Sequence, residues 1–415
     1  MKKLHILGRI GVGIVLFASS CLAMAQRSAI LDPRIATLQV VAGDNWLSMP
    51  IAALHGEAVH IAFDDMTHDY HRYSYKIEHC DADWTVSKDL FTSDYLSGFN
   101  GELTIDDYDQ SLNTNHLYTH YRLTIPNENC RITMSGNYKL TVIDEDADGK
   151  EVLTACFMLV DPRMKVAVGY TSNTDIDFNK AHQQVNLHLD YGSVHVTDPG
   201  RQVKTVVLQN GRWDNAVRDS KPDYVSADGL QWVHNRQLIF PAGNVYRKFE
   251  LLDLNHPTMG IDHIHWDGEE FHAYVLQDTP RPNYVHDEAP QGSFFIRNSD
   301  NVDIDYTADY AQVHFSLVAP RQNGEVYLNG DWTYDSFLPS YKMEYDEASQ
   351  SYVGSTLLKQ GYYSYQYLVL CPDGTTAPVS SEGNYFQTAN KYQALVYYRG
   401  TGDRADYLVG FAEAK

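Results

Sequence analysis

Basic residues are scarce in this chain. Its 415 residues include 32 lysines and arginines against 54 aspartates and glutamates, and the formal net charge is −22. A surface with so much negative charge repels nucleic-acid phosphates and anionic lipid headgroups. The composition therefore argues strongly against nucleic-acid binding.

Common enzyme signatures are also missing. The sequence contains no Gly-x-Ser-x-Gly nucleophile elbow, no glycine-rich phosphate loop, no His-Glu-x-x-His and no Cys-x-x-Cys. These absences count against the common hydrolases and nucleotide-binding proteins. We expect a protein that is not an enzyme and that has no cofactor.

Cysteines are too sparse for a disulfide scaffold. Beyond the N-terminal segment the chain has only Cys80, Cys130, Cys156 and Cys371. One bridge among the first three of these residues and buried free thiols are both compatible with the sequence.

Long apolar runs are missing after the N-terminus. There, positively charged residues precede an apolar stretch, and Ala23-Met24-Ala25 is typical of a cleavage site, which predicts a signal peptide over residues 1–25. In an alternative interpretation, Cys21 ends a degenerate lipobox and is acylated. Because no later stretch is long enough for a spanning helix, we expect an exported protein that is soluble or peripheral to a membrane.

Aromatic residues are abundant, with 30 tyrosines, 15 phenylalanines and 6 tryptophans, and this profile favours strands. Apolar and polar residues alternate with period two in several segments, most regularly at Val185, Leu187 and Leu189. We therefore predict an all-β protein of tandem immunoglobulin-like or early-set β-sandwiches. The predicted units are an N-terminal sandwich over residues 26–162, a middle sandwich over 163–283 and a C-terminal early-set-like sandwich over 284–415.

Two groups of residues resemble metal sites only in part. Asp144, Asp146 and Asp148 imitate the start of a calcium loop, but Ala155 occupies the place of the closing acid. His263 and His265 share one face of a predicted strand, without the glycines that flank a cupin metal motif. Ordinary turns and strand residues explain both groups, and we predict no metal.

The C-terminal unit suggests a second function. Its segments Asn329-Gly330-Asp331-Trp332 and Gly361-Tyr362-Tyr363 resemble the early-set modules of starch-acting and glycogen-binding proteins. An exposed Trp332 could stack on a sugar ring, which would make the chain a periplasmic or surface glycan-binding protein. In the other interpretation, Trp332 fills the core of its sandwich.

Several longer strings resemble one family. The string Tyr73-x-Tyr75-x-Ile77-x-His79-Cys80-Asp81-Ala82-Asp83-Trp84, with Gly98-Phe99-Asn100 and Ser135-Gly136-Asn137-Tyr138, is similar to the first domain of the type IX secretion system plug proteins. Near the other end, Thr388-x-Asn390-x-Tyr392 and Gly402-Asp403-Arg404-x-Asp406-x-Leu408 are similar to the terminal segment of that family.

The resemblance implies a periplasmic protein of the Bacteroidota that lies against the outer membrane without spanning it. Its partner would be the giant outer-membrane β-barrel translocon of type IX secretion, whose periplasmic end it would occlude when no cargo is engaged. Asp81, Asp83 and Trp84 are the candidate partner-binding residues. Alternatively, the two aspartates hold a turn under which Trp84 packs.

Overall fold

The computed structural model describes residues 28–98, 103–287 and 290–415. The predicted signal peptide, Cys21 and the Phe99-Asn100 dipeptide lie outside these residues. Most of the described regular structure is β-strand, which confirms the all-β prediction. Among the described residues no helix is long or apolar enough to cross a bilayer. The helical segments are single turns at Thr92–Tyr95, Glu145–Ala147, Pro199–Gln202, Arg236–Leu238, Ile304–Thr307, Asp331–Thr333 and Pro339–Tyr341.

The N-terminal sandwich consists of two sheets that face each other, and β6 and β10 form a separate two-stranded sheet. One has the order β1-β12-β11-β5-β7 with β3 on β12, and the other has the order β2-β4-β9-β8. Phe63 from one sheet meets Tyr73 from the other, with ring centroids 5.4 Å apart. The strands are β1 (Ala29–Ile30), β2 (Ile35–Ala42), β3 (Ile51–Ala53), β4 (Val59–Asp65), β5 (Tyr73–Cys80), β6 (Leu96–Ser97), β7 (Thr104–Ile105), β8 (Asp107–Gln110), β9 (Thr119–Ile125), β10 (Arg131–Ile132), β11 (Gly136–Asp144) and β12 (Lys150–Val160).

Period-two patterning predicted these strands well because each side chain's face follows from its place in the strand. Tyr73, Tyr75 and Ile77 are buried on β5, whereas Lys76 between them is exposed. Strands β11 and β12 form an antiparallel hairpin whose register shifts once, between Val142 and Ile143.

The middle sandwich is completed by the last two strands of the chain. Its sheets have the orders β13-β14-β18-β17, with β19 on β14, and β16-β15-β30-β31. Val185, Leu187 and Leu189 on β14 are buried in its core, as their alternation predicts. The strands are β13 (Lys165–Thr171), β14 (His182–Asp190), β15 (Val203–Gln209), β16 (Val217–Arg218), β17 (Tyr224–Val225), β18 (Gly229–Trp232) and β19 (Ile239–Pro241), with β30 (Tyr392–Tyr398) and β31 (Tyr407–Ala414) from the far end of the chain.

The C-terminal sandwich is a long sheet that curls back on itself. Its order is β20-β28-β25-β26-β27-β24-β22-β21, with β23 and β29 on β28. Phe249 on β20 meets Phe315 on β24 at 5.7 Å although these strands are far apart in the order, so the sheet encloses its core. The strands are β20 (Arg247–Leu251), β21 (Ile261–Trp266), β22 (Phe271–Val275), β23 (Phe294–Ile296), β24 (Tyr310–Val318), β25 (Glu325–Asn329), β26 (Lys342–Asp346), β27 (Ser351–Lys359), β28 (Gly361–Leu370) and β29 (Thr376–Pro378).

Strand pairing crosses the predicted boundary at residue 283 in both directions. From the predicted middle range, β20 pairs with β28 and β22 pairs with β24. From the predicted C-terminal range, β30 pairs with β15. The middle and C-terminal sandwiches are therefore interleaved along the chain.

A buried ion pair joins the N-terminal and C-terminal sandwiches. Lys359 Nζ lies 2.7 Å from Asp64 Oδ2, and the two side chains are 1% and 0% exposed. The same carboxylate accepts hydrogen bonds from the Tyr310 hydroxyl at 2.5 Å and from His120 Nδ1 at 2.6 Å. Burial alone would raise the pKa of Asp64, but Lys359 and His120 hold it below its ordinary value.

Among the described residues, no disulfide joins Cys80, Cys130, Cys156 or Cys371 to another of these cysteines. Cys80 and Cys130 are buried free thiols, so for these two residues the structure favours the free-thiol alternative over a bridge. Burial raises the pKa of Cys80 to about 12 and that of Cys130 to about 11, which keeps both as unreactive thiols.

A candidate partner-binding site at the junction of the sandwiches

The segment that follows β5 is a tight turn. Asp83 Oδ1 accepts hydrogen bonds from the backbone nitrogen of Thr85 at 3.0 Å and from its hydroxyl at 2.6 Å. Trp84 adopts a left-handed backbone with φ of 67°. An aspartate that bonds the backbone two residues later stabilises such a turn, so the structure gives Asp83 a local bonding role.

Trp84 lies beneath this turn. Its side chain is 5% exposed and meets Trp213 edge to face, with ring centroids 5.5 Å apart. Around it, residues of the N-terminal and middle sandwiches form one shared apolar cluster that includes Met158, Leu208 and Tyr397. The structure therefore places Trp84 between two sandwiches and not on an open surface.

Asp81 bonds to the terminal family string. Asp81 Oδ1 accepts the backbone nitrogen of Asp406 at 3.0 Å, and Asp406 Oδ2 accepts that of Ala82 at 3.0 Å. Arg399 lies between the two carboxylates, 2.6 Å from Asp81 and 2.8 Å from Asp406. Despite burial, Arg399 holds the pKa of Asp81 below its ordinary value. The family strings from the two ends of the chain thus meet in one ion-paired junction.

Asp406 is the most buried member of this junction at 1% exposed, and it also pairs with Lys204 at 2.9 Å. We expect Asp406→Asn to lower the free energy of unfolding by about 1–3 kcal/mol, because an amide loses two charge-assisted interactions. Urea unfolding measures this change. Asp83→Asn, a control in the same turn, should change it by less than about 0.5 kcal/mol because Asp83 is exposed. If Asp406→Asn and Asp83→Asn lowered the free energy of unfolding equally, the buried charge of Asp406 would not be what stabilises this junction.

Trp332 does not face solvent, which corrects the glycan-binding interpretation. The side chain is 4% exposed, and its Nε1 donates a hydrogen bond to the Ser364 carbonyl at 3.1 Å. Phe315 stacks beside the indole and Tyr363 meets it edge to face. A sugar ring would have to displace these neighbours, so the structure supports the core interpretation.

The aspartates of the predicted calcium-like loop hold a turn. Asp144 accepts the backbone nitrogen of Asp146 at 3.0 Å and Arg34 Nη2 at 2.9 Å. His71 lies close enough to Asp144 and Asp146 that the three could share an ion. However, Arg34 already supplies a cation to Asp144, and we assign no metal here.

His263 and His265 lie on β21, as predicted, but each has its own neighbour. His263 stacks on Tyr274 at 4.3 Å, and its Nδ1 lies 2.8 Å from Asp262. His265 lies opposite His272 on β22, and His272 in turn contacts His314. These contacts are those of residues along a sheet face.

A cavity of about 160 Å³ opens beside Trp84, where the three sandwiches meet. Three of the six tryptophans of the chain line it, and its wall also carries acidic residues and a lysine. Sequence reasoning singled out Trp84 but missed its neighbours, because they come from distant parts of the chain and share no motif. The residues that matter below are Trp46, Trp84, Trp213, Asp331, Asp335, Lys391 and Glu413.

Comparisons with known proteins bear on the whole chain. Residues 35–161 match the model of the type 9 secretion system plug protein 1st domain. A crystal structure of a hypothetical protein from Parabacteroides merdae is 38% identical with a TM-score of 0.89, over 94% of this chain and 98% of that one. The partial N-terminal region of an enterococcal surface protein aligns over 94% of each chain, but with 8% identity and a TM-score of 0.19 it does not share this fold. No curated protein matches.

Proposed function

Because this chain belongs to the type IX secretion system plug protein family, we propose that it occludes the periplasmic end of the translocon barrel when no cargo is engaged. The observation that carries the proposal is the match of residues 35–161 to the first plug domain. Membership of this family supports a location in the cell envelope and an interaction with the secretion machinery. The plug is a binding protein in this proposal, and its role requires no catalysis and no cofactor.

The way the sandwiches are joined supports a plugging role. A body that blocks a wide pore has to resist deformation, and here each sandwich is tied to another. The Asp64–Lys359 pair ties the N-terminal to the C-terminal sandwich, and the Asp81–Arg399 pair ties it to the middle one. The first pair is buried, and the second lies beside the apolar cluster that the N-terminal and middle sandwiches share. Packed apolar contacts between domains oppose their relative motion.

Reversibility is the second requirement of a plug. An interface that forms and dissociates is as polar as an ordinary protein surface, whereas obligate interfaces are more apolar. The net charge of −22, which becomes −25 if residues 1–25 are removed, gives this chain a strongly acidic surface. Such a surface favours fast electrostatic association with a basic rim and allows release.

Purification from native outer membranes tests the proposal. Lys415 is 71% exposed at its side chain, so a tag can follow it without entering a sheet. After solubilisation in mild detergent, we expect the tagged chain to retain a giant outer-membrane β-barrel in near-stoichiometric amount, without the cargo shuttle. Mass spectrometry identifies the partner.

A matched control carries the same tag on another exported acidic protein of similar size. Recovery of the chain alone under these conditions would contradict the proposal. Plugging itself has a separate readout, since cells that lack the chain should admit large hydrophilic antibiotics more readily than cells in which it is restored. Unchanged permeability would show that the chain binds the barrel without closing it.

A further inference from the structure

The cavity beside Trp84 has aromatic walls. Trp46, Trp84 and Trp213 line it together with Tyr334. The guanidinium of Arg218 already lies over the Trp213 ring, 5.4 Å from its centroid, and Trp84 is buried, so Trp46 is the indole that remains open to an occupant. The faces of indole rings attract cations, and arginine is the side chain that most often occupies such a position. Because its guanidinium is planar and weakly hydrated, arginine also stacks on aromatic rings better than lysine does.

Acidic groups outnumber basic ones around the cavity. Asp331, Asp335 and Glu413 line it, against the single amine of Lys391. Lys391 Nζ already donates a hydrogen bond to the Leu47 carbonyl at 2.9 Å. Burial lowers the pKa of Lys391, although Glu413 opposes this shift. Asp335 accepts hydrogen bonds from the Trp213 backbone nitrogen and the Asn329 amide and lies near Arg212, and Glu413 lies near Lys415. Asp331 is therefore the acidic group whose charge favours a cationic occupant.

Asp331 is the carboxyl best placed to receive that cation. It stands at the start of a single helical turn, and it is exposed although the next two residues, Trp332 and Thr333, are buried. The protein atoms around the cavity reduce the hydration of the Asp331 carboxyl, and together with the charge of Asp335 this raises its pKa to about 7, while a hydrogen bond with Ser293 opposes the shift. A bound cation would lower the pKa of Asp331 again, because it stabilises the ionised carboxylate.

The size of the cavity restricts the occupant. Pockets for whole drug-sized ligands measure roughly 300–1,000 Å³, whereas this cavity measures about 160 Å³. A cavity of this volume holds a group about as large as a benzene ring. Trp46 and Leu47 are 39% and 42% exposed among its lining residues, so an incoming chain would also meet apolar surface. One side chain of a larger partner fits these dimensions.

We propose that this cavity binds an arginine side chain presented by a segment of a partner protein, with the guanidinium against the Trp46 indole and paired with the Asp331 carboxylate. Arginine binding at this cavity is independent of the proposed function, because occlusion of a barrel does not require a pocket for an arginine side chain. Failure of one proposal therefore leaves the other standing.

Titration of the purified chain with a short peptide tests the site. The probe is acetyl-Ala-Ala-Arg-Ala-Ala-amide, and the matched control replaces arginine with citrulline, which has nearly the same shape and no charge. Tryptophan fluorescence and calorimetry follow binding up to about 10 mM peptide. We expect the arginine peptide to bind at least tenfold more tightly than the citrulline peptide. Equal affinities, or no binding of the arginine peptide, would overturn the proposal.

Two variants locate the site. Asp331→Asn should weaken arginine binding at least tenfold, whereas Asp373→Asn, in an exposed turn outside the cavity lining, should leave it unchanged. Trp46→Ala provides a second variant in a partly exposed side chain and should also weaken binding. Thermal melting shows that each variant is folded. If folded Asp331→Asn and Trp46→Ala both bind like the unsubstituted chain, the assignment is wrong.

The pH dependence gives an independent check. Since the ionised form of Asp331 binds the cation and its pKa is about 7 in the free chain, binding should tighten about tenfold between pH 6 and pH 8. The other titratable groups that line the cavity are Tyr334, Asp335, Lys391, Glu413 and Cys156, and Tyr246 lies close enough to interact with the charge of Asp331. In Asp331→Asn the remaining pH dependence should be small, and an unchanged profile would contradict the role of Asp331.

Discussion

Lys359→Ala is expected to lower the free energy of unfolding by about 3–5 kcal/mol, because it leaves the Asp64 carboxylate buried without its closest cation. Both side chains are almost completely buried, and their charged atoms are 2.7 Å apart. His120 and Tyr310 still bond to Asp64, but they supply at most one further positive charge. The shift of the urea unfolding midpoint measures the loss.

Lys342→Ala is the matched control for this prediction. Lys342 lies 2.6 Å from Glu325, at a similar distance, but the two side chains are 31% and 54% exposed. Exposed pairs contribute only about 0–1 kcal/mol, since water screens them. If the two substitutions shift the midpoint equally, burial does not decide the strength of the Asp64–Lys359 pair.

Trp332→Ala is expected to lower the free energy of unfolding by about 3–5 kcal/mol and to leave glycan binding unchanged. Removing an indole that is 4% exposed leaves a cavity bounded by Phe315 and Tyr363, which cannot close it without moving strands β24 and β28. Urea unfolding gives the stability, and a glycan array gives the binding of the unsubstituted chain and of the variant.

Trp266→Ala serves as the comparison. Trp266 is 42% exposed and packs only against Phe271 among the aromatic side chains described, so its loss should cost about 1 kcal/mol or less. A stable Trp332→Ala variant that has lost binding to a specific glycan would restore the sugar-binding interpretation.

The sequence predicted the strands better than their partners. Alternation at Val185, Leu187 and Leu189 identifies a strand and its buried face, because both follow from the two-residue period of the backbone. The same pattern contains no information about which distant strand lies alongside. The pairing of β15 with β30 could therefore not be predicted from the sequence.

Candidate site residues show the same limit. The turn at Asp83 was predictable, since aspartate bonds to the backbone two residues later are local. Whether the adjacent Trp84 faces a partner or a neighbouring sandwich depends on Trp213, which lies far along the chain. The orientation of Trp332 likewise depends on residues of other strands, and its own turn looks the same with the ring inward or outward.

The pairing of β15 with β30 also determines when this protein can finish folding. When the chain emerges with its amino terminus first, residues 203–209 are free to fold long before residues 392–398, their pairing partners, have emerged. Until then the middle sandwich has an open strand edge and an uncovered apolar face, which are the features that promote aggregation and chaperone capture. Folding of this sandwich therefore waits for nearly the whole chain, and a premature stop anywhere before β30 leaves it unfinished.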